Sequence, residues 1–467
     1  MDNAVVEYLK RKNVEVIDEN IEEKLEVWEQ WYKGKVDNFH TYKVYQGKKK
    51  LKKERKTLMM PLRACQRWAD LLLNEKVEIN TQNEALIPII EKLLKQANFY
   101  VRGNNLIERA FALGAGFFIE YWDGTKTNIK YVSQEQMYPI TYDSGRLIEA
   151  AFASKKVIDG KTYTYLETHL LDDNGDYVID NSLLSTDGKG LNEVSEEFYA
   201  EHNILAKWET HRKEPLFQMI RPNIANRDNF NSPYGTSVFS GAIDKVKTID
   251  LIFDSYYKEF ELGKKRIFVT DGVTNINYDE NGNTVQVFDP KDEVFYRLPD
   301  DEKTAPITES NPALRIAEHK AGLETMLTLF SQDVGFGVNG FKWDSGNVST
   351  ATQIISENSE MFRTLKKHEA ILEDAIVSMV KGLLFVESMY TGAKLNYEED
   401  ITVNFDDSII EDTAEKKRQA ILELNSGLID AIQYYIDVYK MTEEQAIAFR
   451  EKMQARNPQI EEEPTGA

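Results

Sequence analysis

The sequence predicts an α+β protein, and three patterns point to it. Up to about residue 114, and again from 235 to 262, apolar residues recur at three- and four-residue steps, the spacing of one helical face. From about 115 to 220 the period falls to two, with turn residues between short apolar runs, as in antiparallel strands. From 349 a single apolar face then continues for about forty residues, or roughly 60 Å of helix.

Composition sets the outer bounds. At 467 residues the chain is long enough for several structural units. A hydrophobic share of 42% with 29% charged residues is ordinary for a folded protein. The net charge of -21 is not ordinary, and it argues against a tight, sequence-independent grip on nucleic acid, which needs Lys and Arg against phosphate. Passage of DNA over an acidic surface remains compatible with it. Cys65 is the only cysteine, so an internal disulfide is impossible, which suits a reducing compartment. The first 13 residues are charged and hold no apolar signal core. The longest nearly uncharged apolar run, 110–119, is too short to span a bilayer, so no membrane contact is expected.

In chain order, 21–33 reads as a helix with Leu25, Trp28, Trp31 and Tyr32 on one side. The segment 43–56 is strongly basic and includes Lys48, Lys49, Lys50, Lys52 and Lys53. It reads either as a solvated loop or helix start, or as a contact for phosphate or a partner. Helices are expected over 58–73, 84–97 and 102–114, with a short strand around 77–79. In the strand-period block, Asp123-Gly124, Asp159-Gly160 and Asn174-Gly175 are hairpin signals, because these residue types tolerate the left-handed backbone of type I′ turns.

A polar loop spans 223–234, and Gly235 opens a helix to 262 with Phe239, Ile243, Val246, Ile249, Phe253, Tyr256 and Phe260 as its stripe. Gly263-Lys264-Lys265 ends it, glycine past the last turn and cations against the dipole. A small β segment follows, with strands over 266–270, 284–288 and 294–298 and a turn at Asp279-Glu280-Asn281-Gly282. A helix over 313–334 returns the chain to a glycine-rich break at 335–340. Thr350-Ala-Thr-Gln353 fits a capping box at the start of the very long helix, and Gly382 near its end tolerates a bend. A strand over 401–405 and helices over 413–425, 426–438 and 442–455 close the fold, the last opened by a second capping box, Thr442-Glu-Glu-Gln445. The tail 457–467 is acidic and Pro-containing and is expected to be disordered.

Tests for catalytic chemistry fail one after another. Asp172, Asn174 and Asp176 begin like a calcium loop, but Tyr177 stands where glycine is needed and Leu183 where a bidentate carboxylate is needed. Asp279, Asn281 and Asn283 fail in the same way at Thr284 and Pro290. No Walker loop and no Gly-x-Ser-x-Gly elbow is present. Gly114-Ala-Gly116 lacks the third glycine of a dinucleotide motif and sits between a helix and a strand in the wrong order. His40, His169, His202, His211, His319 and His368 show no ligand spacing and are expected at surfaces. With 78 acidic residues, no carboxylate singles itself out as an acid or base. Neither a metal nor a cofactor is implied, and the chain does not read as an enzyme. Two alternatives stay open beside the reading below: a helical scaffold or adaptor of low oligomeric order in the cytosol, and a hydrolase with unmarked carboxylates.

Four stretches resemble tailed-bacteriophage portal proteins, most closely those of siphophages and prophages of Gram-positive hosts. They are Asn231-Ser-Pro-Tyr-Gly-Thr-Ser-Val-Phe239 with 244–257, Asn311-Pro-Ala-Leu-Arg315 with 323–336, Trp343-Asp344 with Thr350-Ala-Thr-Gln-Ile-Ile-Ser-Glu-Asn-Ser359, and Ser426-Gly-Leu-Ile429 with Met441-Thr-Glu-Glu-Gln-Ala446. Their order and spacing, more than any single motif, make the resemblance. One departure is Gln353-Ile354, where many relatives have an acidic residue before the apolar one.

The resemblance implies a wing over 1–231, stem helices over 232–263 and 311–335, and a clip over 264–310. It further implies a tunnel loop over 336–349, a long helix and return to the wing over 350–406, and a crown over 407–467 with the disordered tail. It implies a closed ring, usually of twelve copies, at one capsid vertex of a virion assembled in the bacterial cytoplasm. Double-stranded DNA would enter and leave through the centre without tight binding. Phe341, Lys342, Trp343, Asp344, Ser345 and Asn347 would face it. Lys48, Lys49, Lys50, Lys52 and Lys53 would meet the major capsid or scaffolding protein. Asp279, Glu280, Asn281 and Asn283 would meet the terminase large subunit and later the head-tail adaptor.

Overall fold

A computed structural model describes residues 2–452 except 47–48, 75, 187–189, 203, 271–276, 279–280, 282–283, 286–294, 299–306, 343–350, 406–412, 440, 442–445, 448 and 451. Both capping boxes, at 350–353 and 442–445, and the tail 457–467 therefore lie outside what is described.

Helices α1 (Asn3–Arg11) and α2 (Ile21–Tyr32) lead into a hairpin of β1 (Thr41–Gln46) and β2 (Lys49–Glu54). Then come α3 (Met60–Leu72), β3 (Glu78–Thr81), α4 (Ile87–Gln96) and α5 (Phe99–Leu113). The strand block holds β4 (Gly116–Trp122), β5 (Thr127–Ser133), β6 (Met137–Asp143), β7 (Arg146–Ile158), β8 (Lys161–Leu171), β9 (Tyr177–Thr186) and β10 (Leu191–Glu193). It closes with α6 (Glu196–Glu201), β11 (Lys207–Glu209) and β12 (Phe217–Ile220). The chain continues with α7 (Ile243–Leu262), β13 (Arg266–Thr270), β14 (Asn277–Tyr278), β15 (Thr284–Val285), β16 (Phe295–Leu298), β17 (Ile307–Ser310) and α8 (Ile316–Asp333). Last are α9 (Ala351–Thr391), β18 (Ile401–Asn404), α10 (Thr413–Asn425) and α11 (Ala431–Tyr439).

The protein is α+β. One antiparallel sheet runs β10-β9-β8-β7-β6, with β11 sharing the outer edge of β9. A second runs β12-β4-β5, and β18 returns from far along the chain to pair β3. The period of two is visible in β9, where Tyr177 and Ile179 are buried while Val178 and Asp180 are only half-buried. At Asp159-Gly160 both residues are left-handed (φ 50 and 75), as a type I′ turn requires. Ser144-Gly145 (φ 49 and 78) makes the same kind of turn between β6 and β7, a junction the composition did not mark. The Asp172 carboxylate accepts the amides of Asn174 (2.8 Å) and Asp176 (2.9 Å), the use a hairpin turn makes of an aspartate.

The main core joins α2, α3, α5, the β4–β5 sheet and α9, and α1 closes the outer sheet through Val5, Tyr8 and Leu9. Helices α7 and α8 form an antiparallel pair. Lys245 near the start of α7 meets Asp333 at the end of α8 (2.9 Å), and Glu259 near the end of α7 meets Arg315 at the start of α8 (2.9 Å). Beyond this pair, β13 lies between β16 and β17, parallel to the first and antiparallel to the second.

Several expectations need correction. The basic segment 43–56 is neither loop nor helix start but the β1–β2 hairpin, registered from Thr41↔Glu54 to Gln46↔Lys49. The lysines hide its alternation, and its base is fastened to α7 rather than buried by a face. Asp250 accepts the Leu58 amide (2.9 Å) and meets His40 Nε2 (3.0 Å), while Asp254 accepts the Lys56 amide (3.1 Å). The helix expected from Gly235 starts at Ile243. Gly235 instead lies against Gly114, whose carbonyl oxygen would be 1.9 Å from any Cβ there. The helix expected over 426–438 begins at Ala431, after a turn with Gly427 at φ 71. Three of the six histidines (His40, His169 and His368) are buried rather than at surfaces, each with a hydrogen-bond partner that makes this possible.

Candidate functional site

The break between α8 and α9 begins as an apolar, glycine-punctuated stretch, and its first half is bolted to the core. Val334 ends α8, and its carbonyl accepts the Trp68 Nε1 proton (3.0 Å). Gly335 then turns at φ 85, in the left-handed region, and any Cβ there would sit 2.6 Å from the Thr364 methyl of α9. The turn drops Phe336 onto Trp68, the rings stacked at 4.3 Å and 20°. Arg67 of α3 lies over both Phe336 (4.8 Å) and Phe341 (5.5 Å) and donates to the Gly340 carbonyl.

His368 of α9 completes this hub. Its ring meets Trp68 (4.9 Å) and Phe111 of α5 (5.0 Å) edge to face. Its Nδ1 accepts the Asn223 amide (2.9 Å), so the proton of the neutral ring sits on Nε2. Burial, with a contribution from Lys367, pushes its pKa down to about 3. The hub thus holds α3, α5, α9 and the loop base together with an uncharged ring at neutral pH.

The residues expected along the loop divide at this hub. Phe341 is half-buried against Phe330 and Phe336, and Lys342 is exposed. Trp343, Asp344, Ser345 and Asn347 lie outside the described residues. Of the basic cluster, Lys49, Lys50, Lys52 and Lys53 are all exposed on β2, so the alternation of the strand spreads them over both faces of the ribbon. Lys48 is outside the described residues. In the small β segment, Asn281 is an exposed turn residue between the paired strands β14 and β15, while Asp279, Glu280 and Asn283 are outside the described residues. The three groups fall on separate parts of the fold and build no common site.

Sequence reasoning missed the buried acids, Glu167 and Glu120 among them. Glu167 bonds to His169 Nε2 (3.2 Å) and pairs with Lys130. Burial alone would raise its carboxyl, but Lys130 and His169 overcome this and hold it at about 2. Glu120 is buried against α9 at Gly382, where any Cβ would sit 2.8 Å from its carboxyl oxygen. Burial pushes its carboxyl well up, with Arg212 pulling the other way. Gly382 leaves the room that contact needs. Glu120 was visible in the sequence as the lone charge in Phe117-Phe-Ile-Glu-Tyr-Trp122. Among the described residues, no group of three or more His, Cys, Asp or Glu is placed to hold a metal ion, and no helix is long and apolar enough to cross a membrane.

The sequence matches the family described as "Phage portal protein, SPP1 Gp6-like" over residues 12–459. No curated protein matches the chain. Among solved structures, a chain of "Neck of native GTA particle computed with C12 symmetry" is similar at 10% identity and a TM-score of 0.40, covering 80% of this chain and 89% of that one.

Proposed function

The chain belongs to the SPP1 Gp6-like phage portal family, and we propose that its copies close into a ring at a capsid vertex through which double-stranded DNA is packaged and later ejected. As a portal protein it is a structural component of a phage particle, assembled as a ring with the capsid. The observation that carries the finer reading is the match over nearly the whole chain, 12–459.

The proposed parts are the wing (1–231), a stem of α7 and α8, a clip over 264–310 between them, a tunnel loop over 336–349, a long helix with its return to the wing over 350–406, and a crown (407–467). The paired helices support this, because their outer apolar residues have no cover in the single chain: Leu251, Phe260 and Leu329 are 49%, 45% and 40% exposed. The net charge of -21 supports passage over adhesion, since an acidic ring repels phosphate. Twelve copies is the proposed number. Lys49, Lys50, Lys52 and Lys53, with Lys48, are proposed to meet capsid or scaffolding protein. The turn at Asp279, Glu280, Asn281 and Asn283 is proposed to meet the terminase large subunit and then the head-tail adaptor. Lys342, Trp343 and Asp344 are proposed to project toward DNA from the pinned base at Phe341, with Ser345 and Asn347 beside them.

Deleting 341–346 tests the loop. Rings should still form, since the hub contacts up to Gly340 remain, while packaging of DNA into heads should fall by at least tenfold. Full packaging by rings that lack the loop would refute its role.

A further inference from the structure

A cavity of about 760 Å³ opens between the β4–β5 sheet and the outer sheet, near the end of α9. Its walls are aromatic. Trp122 stacks on Tyr390 at 5.0 Å with rings 2° from parallel, and Trp208 meets Tyr390 edge to face at 5.5 Å. Buried Glu120, whose carboxyl lies against Gly382 of α9, is among its lining residues. Its rim is basic on balance, with exposed Arg102, Lys155 and Lys156 against one exposed acid, Asp123. Arg102 lies over Tyr131 (4.7 Å) and Lys156 faces the Tyr165 ring (5.4 Å). Among the described residues, neither has a carboxylate partner. A wide hollow of this kind suits an inserted chain segment with an aromatic tip and acidic flanks.

This chain presents one such segment. Phe230 is 81% exposed, more than any other large apolar side chain among the described residues. A lone exposed apolar side chain is ordinary on a loose loop, but this loop is braced. Asn226 accepts the amides of Asp228 and Asn229 (3.1 and 3.4 Å). Asn229 and Ser232 donate to the Glu19 carboxylate (2.9 and 2.5 Å), and Lys24 holds Asp228 (2.7 Å). The entropy of presenting the ring is thus met within the fold. The flank is acidic on balance, with exposed Asp18 and Asp228 and half-buried Glu19 against Lys24, which pairs with Asp228, and exposed Arg227.

The segment cannot reach its own cavity. Strand β7 runs between the two sites, with Gly145 at one end against the Phe230 backbone and Lys155 and Lys156 at the other. Ten strand residues separate them by about 30 Å. A knob and a hole on opposite sides of one molecule make a head-to-tail contact, which closes into a ring when the rotation permits.

We propose that the Phe230 loop of one copy seats in the aromatic cavity of its neighbour, its acidic flank against the basic rim. This rests on the ring reading above. The test uses the full chain with Phe230→Cys and Lys156→Cys, singly and together. The natural Cys65 is buried, and burial pushes its thiol well up, so it stays silent. Native mass spectrometry reports assembly, and denaturing gels after mild oxidation report cross-links. The double variant should give a ladder of covalent oligomers, and neither single variant anything beyond a dimer. Phe230→Asp should lower the ring fraction at least tenfold with an unchanged circular dichroism spectrum. Rings of the double variant that oxidise without a ladder would overturn the contact and leave the ring reading intact. A wild-type chain that forms no ring at any concentration would overturn both.

Discussion

The hub around Trp68 and the outer half of the α7–α8 pair begin from the same kind of sequence, an apolar stripe at helical spacing. In the hub, Trp68, Phe111, Phe336 and His368 come from three helices and a loop, and every ring finds another ring of the same chain. In the helix pair, the stripe is buried at Val246 and Ile249, half-buried at Phe253 and Tyr256 and exposed at Phe260, and beside it Leu251, Tyr257 and Leu262 are exposed as well. The same helix also buries two charges, Asp250 and Asp254, which hold the base of the β1–β2 hairpin. Periodicity therefore marks which face of a helix seeks cover, not whether the cover is in the same chain. A region that closes on itself is read as core. A region that keeps its stripe open is read here as waiting for a neighbouring copy.

The sharpest break of this contrast is Trp68→Ala. It removes a fully buried ring, its stack on Phe336 and the donor to the Val334 carbonyl, and should cost about 3–5 kcal/mol in chemical denaturation of the single chain. The loop base should loosen with it, seen as faster amide exchange over 334–341.

Acid should weaken the hub next. His368 is held at about 3 in the fold against an ordinary 6.5, so as pH falls below 6.5 the unfolded chain takes up a proton that the folded chain refuses. Stability is level above pH 7 and should fall by about 1.4 kcal/mol per unit between pH 6 and 5, above the range where most carboxylates titrate. His368→Asn, whose side-chain oxygen can replace Nδ1 as acceptor for Asn223, should flatten that slope in denaturation midpoints taken across the window.

The smallest effect on folding is expected in the open region. Leu251→Lys with Phe260→Lys should shift the denaturation midpoint by no more than about 0.5 kcal/mol, because both side chains already meet water. The same pair should abolish ring formation in native mass spectrometry. A large loss of stability would mean that the two residues are covered within the chain, and the contrast with the hub would fail.

Much of this was legible in the residues alone. The strand block, the 41-residue α9 and the pairing of a helix on each side of a small β segment follow from hydrophobic period and turn chemistry, which are local. The stretches from Asn231 to Phe239 and from Asn311 to Arg315 gave the family before any geometry was known. What the sequence could not supply were the placements that depend on distant partners. Nothing near His40 or His368 announces burial, since each is allowed inside by a residue far along the chain, whereas the partner of His169, Glu167, lies two residues away. The lysines of β2 hid a hairpin whose support lies some two hundred residues away on α7. The glycine at 235 read as a helix start and proved to be where another backbone comes close, and the glycine at 382 lies against a buried carboxyl. Local pattern fixes which elements form, because it depends on neighbours in sequence. Tertiary structure alone decides which polar groups are buried and which apolar faces stay open, because burial depends on what the rest of the chain brings to the same place.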